Sequence, residues 1–193
     1  MPRDNHRREP QNTYVNTTVA NSNPAPSNRI RAAILTVSDK GSIGQRVDLS
    51  GPALASWLTA RGVEVAATAL VADEQPLIAS ALRKWADSAA ADLILTTGGT
   101  GLSPRDVTPE ATMQVLDRVV PGFSEAMRAA SLAKTPFAML SRAVCGIRKR
   151  ALILNLPGSP AGAVENLESL WPAVPHAIRK LQGDMQDCAP PPK

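Results

Sequence analysis

The stretch LILTTGGTGLSPRDVTPEAT, residues 93–112, sets four small residues, an arginine and an acid in front of a helix-like pattern. Backbone N–H groups in a turn such as Gly98-Gly99-Thr100-Gly101 bind phosphate oxygens, and the planar guanidinium of Arg105 suits a phosphate or a carboxylate. An isolated carboxylate such as Asp106 can hold a hard cation against those phosphates. Asp73, in VADEQP, stands in the same position ahead of another helix pattern. For each acid the competing role is an ordinary helix cap or turn. Thr108, with Pro109 at the first helical position, is expected to cap the helix that follows, which leaves Asp106 without that task.

The common nucleotide and hydrolase patterns do not fit. TGGTGLSPRD is neither G-x-G-x-x-G nor a P-loop, because no Gly-Lys-Ser/Thr follows. There is no G-x-S-x-G elbow, and neither His6 nor His176 falls in these loops to activate a serine. Cys145 and Cys188 are too few for a zinc site or a disulfide framework, which points to a reducing, cytoplasmic setting.

The elements that must position these residues follow from alternating patterns between Arg29 and Gly183. IRAAILTV (30–37), VEVAATALV (63–71) and DLILTT (92–97) are apolar runs of strand length. GPALASWLTARG and PLIASALRKWADSA space their apolar residues three and four apart, as helices do. The alternation predicts βαβαβ, a parallel sheet covered on both faces. TPEATMQVLDRVV is expected to continue as a helix stopped by Pro121-Gly122, with SEAMRAASLA as the next. AVCGI and ALILNL flank RKR closely enough for a hairpin, so one strand should run antiparallel. AGAVENLESLW and VPHAIRKLQGD close the chain as helices. The expected fold is therefore three-layer αβα with a mostly parallel sheet containing one antiparallel strand. Ligands in such sheets bind beyond the carboxyl ends of the strands, and four loops rich in Ser, Thr, Asp, Gly and Pro fall there.

With 193 residues the chain is long enough to bury one proper core. The net charge of +4 is scattered and aromatic residues make up only 3%, so the stacking platform of a single-strand nucleic-acid binder is missing, and a mild basic balance suits anionic small molecules equally well. No apolar run approaches a membrane span, and no apolar stretch follows the basic N-terminus to make a signal peptide. Residues 1–28, poor in large apolar side chains, are expected to form a disordered tail, 29–184 the folded unit, and 185–193 a second tail.

LTTGGTG with PRDVTPEAT, TPFAMLSR and LILNLPGSP, in that order and with TVSDKGS and DLSGP upstream, resembles the molybdopterin adenylyltransferase family of molybdenum cofactor biosynthesis, which includes the G domain of gephyrin. The likeness runs from about Ile30 to Gly183. It implies Mg²⁺- and ATP-dependent transfer of AMP onto the terminal phosphate of molybdopterin, by a homotrimer with one site per subunit and with the molybdenum insertion enzyme as a partner. By the same resemblance the catalytic acids fall on Asp73 and Asp106, the threonine of the glycine loop on Thr100, and a functional serine on Ser141. Asn155, Pro157, Gly158, Ser159 and Pro160 correspond to the loop at the substrate pocket, and Ser38, Asp39 and Ser50 to polar residues of the same cleft. Because a phosphate nucleophile is already anionic, Asp73 and Asp106 are better cast as Mg²⁺ holders than as proton carriers. The competing reading is a molybdopterin-binding or scaffold protein without turnover.

Overall fold

The computed structural model describes residues 29–185. The expected N-terminal tail, most of the C-terminal one and Cys188 lie outside the described residues. The elements run β1 (Arg31–Val37), α1 (Asp39–Ser42), α2 (Ser50–Thr59), β2 (Glu64–Val71), α3 (Gln75–Asp87), β3 (Leu93–Thr97), α4 (Thr108–Met113), β4 (Arg118–Val119), α5 (Pro121–Leu132), a 3-10 helix (Pro136–Leu140), β5 (Cys145–Arg148), β6 (Ala151–Leu156), α6 (Pro160–Leu170) and α7 (Val174–Leu181). The sheet order is β2-β1-β3-β6-β5-β4. β1 pairs in parallel with β2 and β3, and β3 with β6. β5 is antiparallel to both of its neighbours.

The central strands are apolar throughout because helices cover both faces. From β1, Ala32 and Ile34 pack with Leu54 and Leu58 of α2, with Leu167 of α6 and Val174 of α7. The alternate residues Ala33, Leu35 and Val37 pack with Ile78, Leu82 and Trp85 of α3 and Ala111 of α4. That alternation, repeated by Leu93/Ile94/Leu95 and Leu152/Ile153/Leu154, gives three layers and two cores.

Two expectations fail in one segment. The helix begun at Thr108 ends at Met113 rather than running to Val120, and Arg118–Val119 instead forms an edge strand beside β5. Val115 stays buried and Leu116 packs on the same core, so the helical spacing survives through a turn without a helix. Pro121 starts α5 instead of stopping α4, a role its fixed φ suits. Nor does Thr108 cap: it lies inside α4, whose N-cap is Val107, and its hydroxyl donates to the Gly98 carbonyl at 2.9 Å.

Candidate functional site

The chain moves from β1 outward to β2, then crosses back to β3 on the other side of β1, so the crevice at the strand ends opens between β1 and β3. A cavity of about 560 Å³ lies there, lined among others by Ser38, Asp48, Ser50, Asp73, Gly98, Gly99, Asp106, Gly158, Ser159 and Pro160. The glycines are required by geometry. Gly98 has φ +103° and a Cβ on it would sit 2.2 Å from the Val37 carbonyl oxygen. Gly99 has φ +63°, and its Cβ would meet the Thr108 hydroxyl at 2.4 Å and Asp73 Oδ1 at 2.9 Å. Thr108 fastens this turn twice, through its hydroxyl and through its N–H to the Gly99 carbonyl at 3.1 Å.

Asp73, after β2, is almost fully buried and is held from the loop after β1. Its Oδ2 accepts the Asp39 N–H at 2.7 Å, while Asp39 Oδ1 accepts the Asp73 N–H at 3.0 Å. Burial pushes the Asp73 carboxyl above the ordinary range; the Asp39 N–H opposes this, and the nearby Asp39 and Asp106 charges add to it. Asp106 Oδ2 accepts the Ser103 N–H at 2.8 Å. Neither Asp73 Oδ1 nor Asp106 Oδ1 has a hydrogen-bond partner among the described residues. No group of three or more His, Cys, Asp or Glu is arranged to enclose a metal among those residues. Two carboxylates with an open oxygen each still fit Mg²⁺, which takes one or two carboxylates and completes its shell with water and substrate phosphate.

Several residues expected at the site stand elsewhere. Arg105 does not line the cavity: its guanidinium is committed to Asp39, at 3.0 and 2.9 Å, and to Glu74 at 2.7 Å. Arg105 in turn holds the Asp39 carboxyl below its usual range, so it acts as the counter-charge for two acids rather than as an open phosphate donor. Asn155 is wholly buried and cannot touch a ligand; its amide donates to Thr96 and Thr112 at 3.0 and 2.9 Å and accepts the Val144 N–H at 3.2 Å, tying β3 and β6 to α4. Thr100 and Gly101 are set back from the cavity, their carbonyls held by Arg142. Ser141 and Pro157 line a second cavity of about 230 Å³, with Arg128, Lys134, Phe137 and Asn166, and Ser159 belongs to both cavities.

Asp48 was missed in the sequence. It faces the large cavity and accepts four hydrogen bonds, from the Thr36 hydroxyl at 2.6 Å, the Ser50 N–H and hydroxyl at 3.0 and 3.1 Å, and the Gly51 N–H at 3.0 Å. It therefore serves the start of α2 as a capping acid does. An acid two residues ahead of a helix pattern, in VDLSGP, was the available signal.

Residues 33–176 match the family model described as a probable molybdopterin binding domain. The chain belongs to this family. It is 42% identical over 177 residues to the molybdopterin adenylyltransferase of Escherichia coli, covering 84% of this chain and 91% of that one. To the enzyme of that name from Helicobacter pylori it is 43% identical over 157 residues, covering 80% and 89%. Among solved structures, the molybdopterin biosynthesis Mog protein of Mycobacterium ulcerans superposes with a TM-score of 0.76 at 42% identity, over 82% of this chain and all of that one. The molybdopterin biosynthesis enzyme MoaB of Thermus thermophilus gives 0.76 at 56% identity, over 80% and 98%. The antiparallel β5 in an otherwise parallel run agrees with the fold of these proteins.

Proposed function

We propose that this chain is a molybdopterin adenylyltransferase. A terminal phosphate oxygen of molybdopterin attacks the α-phosphorus of ATP, the bond to the outer two phosphates breaks, and pyrophosphate leaves with its electrons. The nucleophile is already anionic, so the chain's task is to bring two anions together and hold them in line. The observation that carries this reading is one cavity that joins a glycine turn with no room for side chains to two acids, each with an open oxygen. Asp73 and Asp106 would hold Mg²⁺, which supplies charge neutralisation on the phosphates. The Gly98 N–H is taken by the Leu156 carbonyl at 3.3 Å, so the Gly99 N–H is the donor this turn would offer a phosphate oxygen. Ser38 and Ser50 line the same cavity, and Ser141 with Pro157 would serve the smaller one, which shares Ser159 with the larger.

The direct test is incubation of the protein with molybdopterin and Mg-ATP, with chromatographic detection of adenylyl-molybdopterin and pyrophosphate. Binding of molybdopterin without product would turn the reading to a carrier. We further propose a cytoplasmic homotrimer that hands its product to the molybdenum insertion enzyme; a clean monomer at sedimentation equilibrium would overturn the trimer. Among the described residues no helix is long and apolar enough to cross a membrane.

A further inference from the structure

We propose that Arg142 is a positioning residue that clamps the glycine turn and the Asp106 loop onto the segment carrying Ser141. Arg142 lines neither cavity, yet it reaches across the whole loop between β3 and α4. Its Nε donates to the Gly101 carbonyl at 2.7 Å, Nη2 donates to the Asp106 carbonyl, and Nη1 to the Glu110 carboxylate. Its own N–H donates to the Thr100 carbonyl at 2.9 Å. One side chain thus satisfies acceptors at the beginning, the end and the far side of the turn that presents Asp106. The guanidinium fork is what permits this; the single ammonium of lysine cannot span three acceptors pointing from different segments. Burial pushes the Glu110 carboxyl up, but the Arg142 bond and a backbone N–H outweigh it, so the pair is charged at neutral pH. Among the described residues the Asp106 carboxylate accepts one hydrogen bond, from the Ser103 N–H within the same loop, and has no comparable fastening of its own.

The inference rests on the reading of Asp106 as a group that meets the reacting phosphates, and the test separates the two. In the full chain, Arg142→Gln should speed amide hydrogen exchange across residues 98–107 by about tenfold while β1 and β3 keep their protection. The same variant should lower kcat about 30-fold with KM for ATP nearly unchanged, the scale of a small displacement of a catalytic group. Arg142→Lys, which keeps charge and one carbonyl bond, should recover only part of both effects and serves if the glutamine variant does not fold. If Arg142 acts through Asp106, adding Arg142→Gln to Asp106→Asn should cost less than about threefold more. Unchanged exchange in the loop, full kcat in Arg142→Lys, or fully multiplicative losses would each overturn the clamp. Full activity in Asp106→Asn alone would instead overturn the reading of the site.

Discussion

Asp73 and Asp106 open onto the same cavity but are held by opposite means. Asp73 is fixed by burial and by a reciprocal pair of backbone bonds with Asp39, itself neutralised by Arg105. Asp106 sits in an exposed loop whose shape is imposed by a side chain from another segment. The first arrangement places a charge where charge is unfavourable; the second leaves the carboxylate half-buried at the cavity and concentrates the cost in ordering the loop. Rigidity and charge therefore come from different sources on the two walls of one cleft.

Breaking the Asp106 wall should have the largest effect on turnover. Asp106→Asn keeps the shape and the Ser103 bond but removes the charge, and adenylyl transfer, followed by chromatography of the product, should fall by about a hundredfold or more. Its stability should change by less than about 1 kcal/mol, because the Ser103 bond is exposed and no helix depends on it. Equal activity would return Asp106 to an ordinary turn residue.

Gly99 joins the two walls, and Gly99→Ala should harm both. The alanine must adopt φ near +63° and push its Cβ against the Thr108 hydroxyl and Asp73. Destabilisation by about 2 kcal/mol in urea unfolding is expected, together with reduced activity. Neutral behaviour would mean that the turn relaxes freely and that the glycine is not needed.

The smallest effect sharpens the comparison through pH. Because the Asp73 carboxyl is raised in the folded state, its contribution to stability is present below the ordinary carboxylate pKa and is lost as pH rises through the folded value. At neutral pH the charge thus opposes folding. Asp73→Asn, which can still accept the Asp39 N–H, should raise Tm by about 2 °C at neutral pH, with the gain vanishing at acid pH. Activity should fall all the same. A Tm that drops at neutral pH would show that the ionised carboxylate is a net support for the fold.

The fold was readable where residues act through burial, since the strands covered on both faces could only be apolar runs and the hairpin was marked by its short polar turn. The β4 segment was not, because two exposed edge residues carry no apolar pattern and Val115 and Leu116 extend a helical one. At the site, Asp73, Asp106 and the glycine turn were legible from their types and their place after strands. The rest depends on contacts distant in sequence. Thr108 resembles a cap until Gly98, ten residues earlier, takes its hydroxyl. Arg105 resembles a phosphate ligand until Asp39, 66 residues away, takes its guanidinium. Asn155, polar beside a glycine-proline loop, resembles a ligand until Thr96, Thr112 and Val144 consume its amide.

That Ser159 lines both cavities has a consequence for what happens after bond formation. If the two substrates of the proposed reaction are seated one in each cavity, they become one molecule with two footholds, and release requires both ends to let go together. Under the proposed activity the product is then gripped more firmly than either reactant, and the first turnover should be faster than those that follow. A burst of product equal to the enzyme concentration is the expected trace, and a linear one from time zero would argue against it. Tight retention of this kind suits a chemical intermediate that is better handed on than shed into bulk solvent.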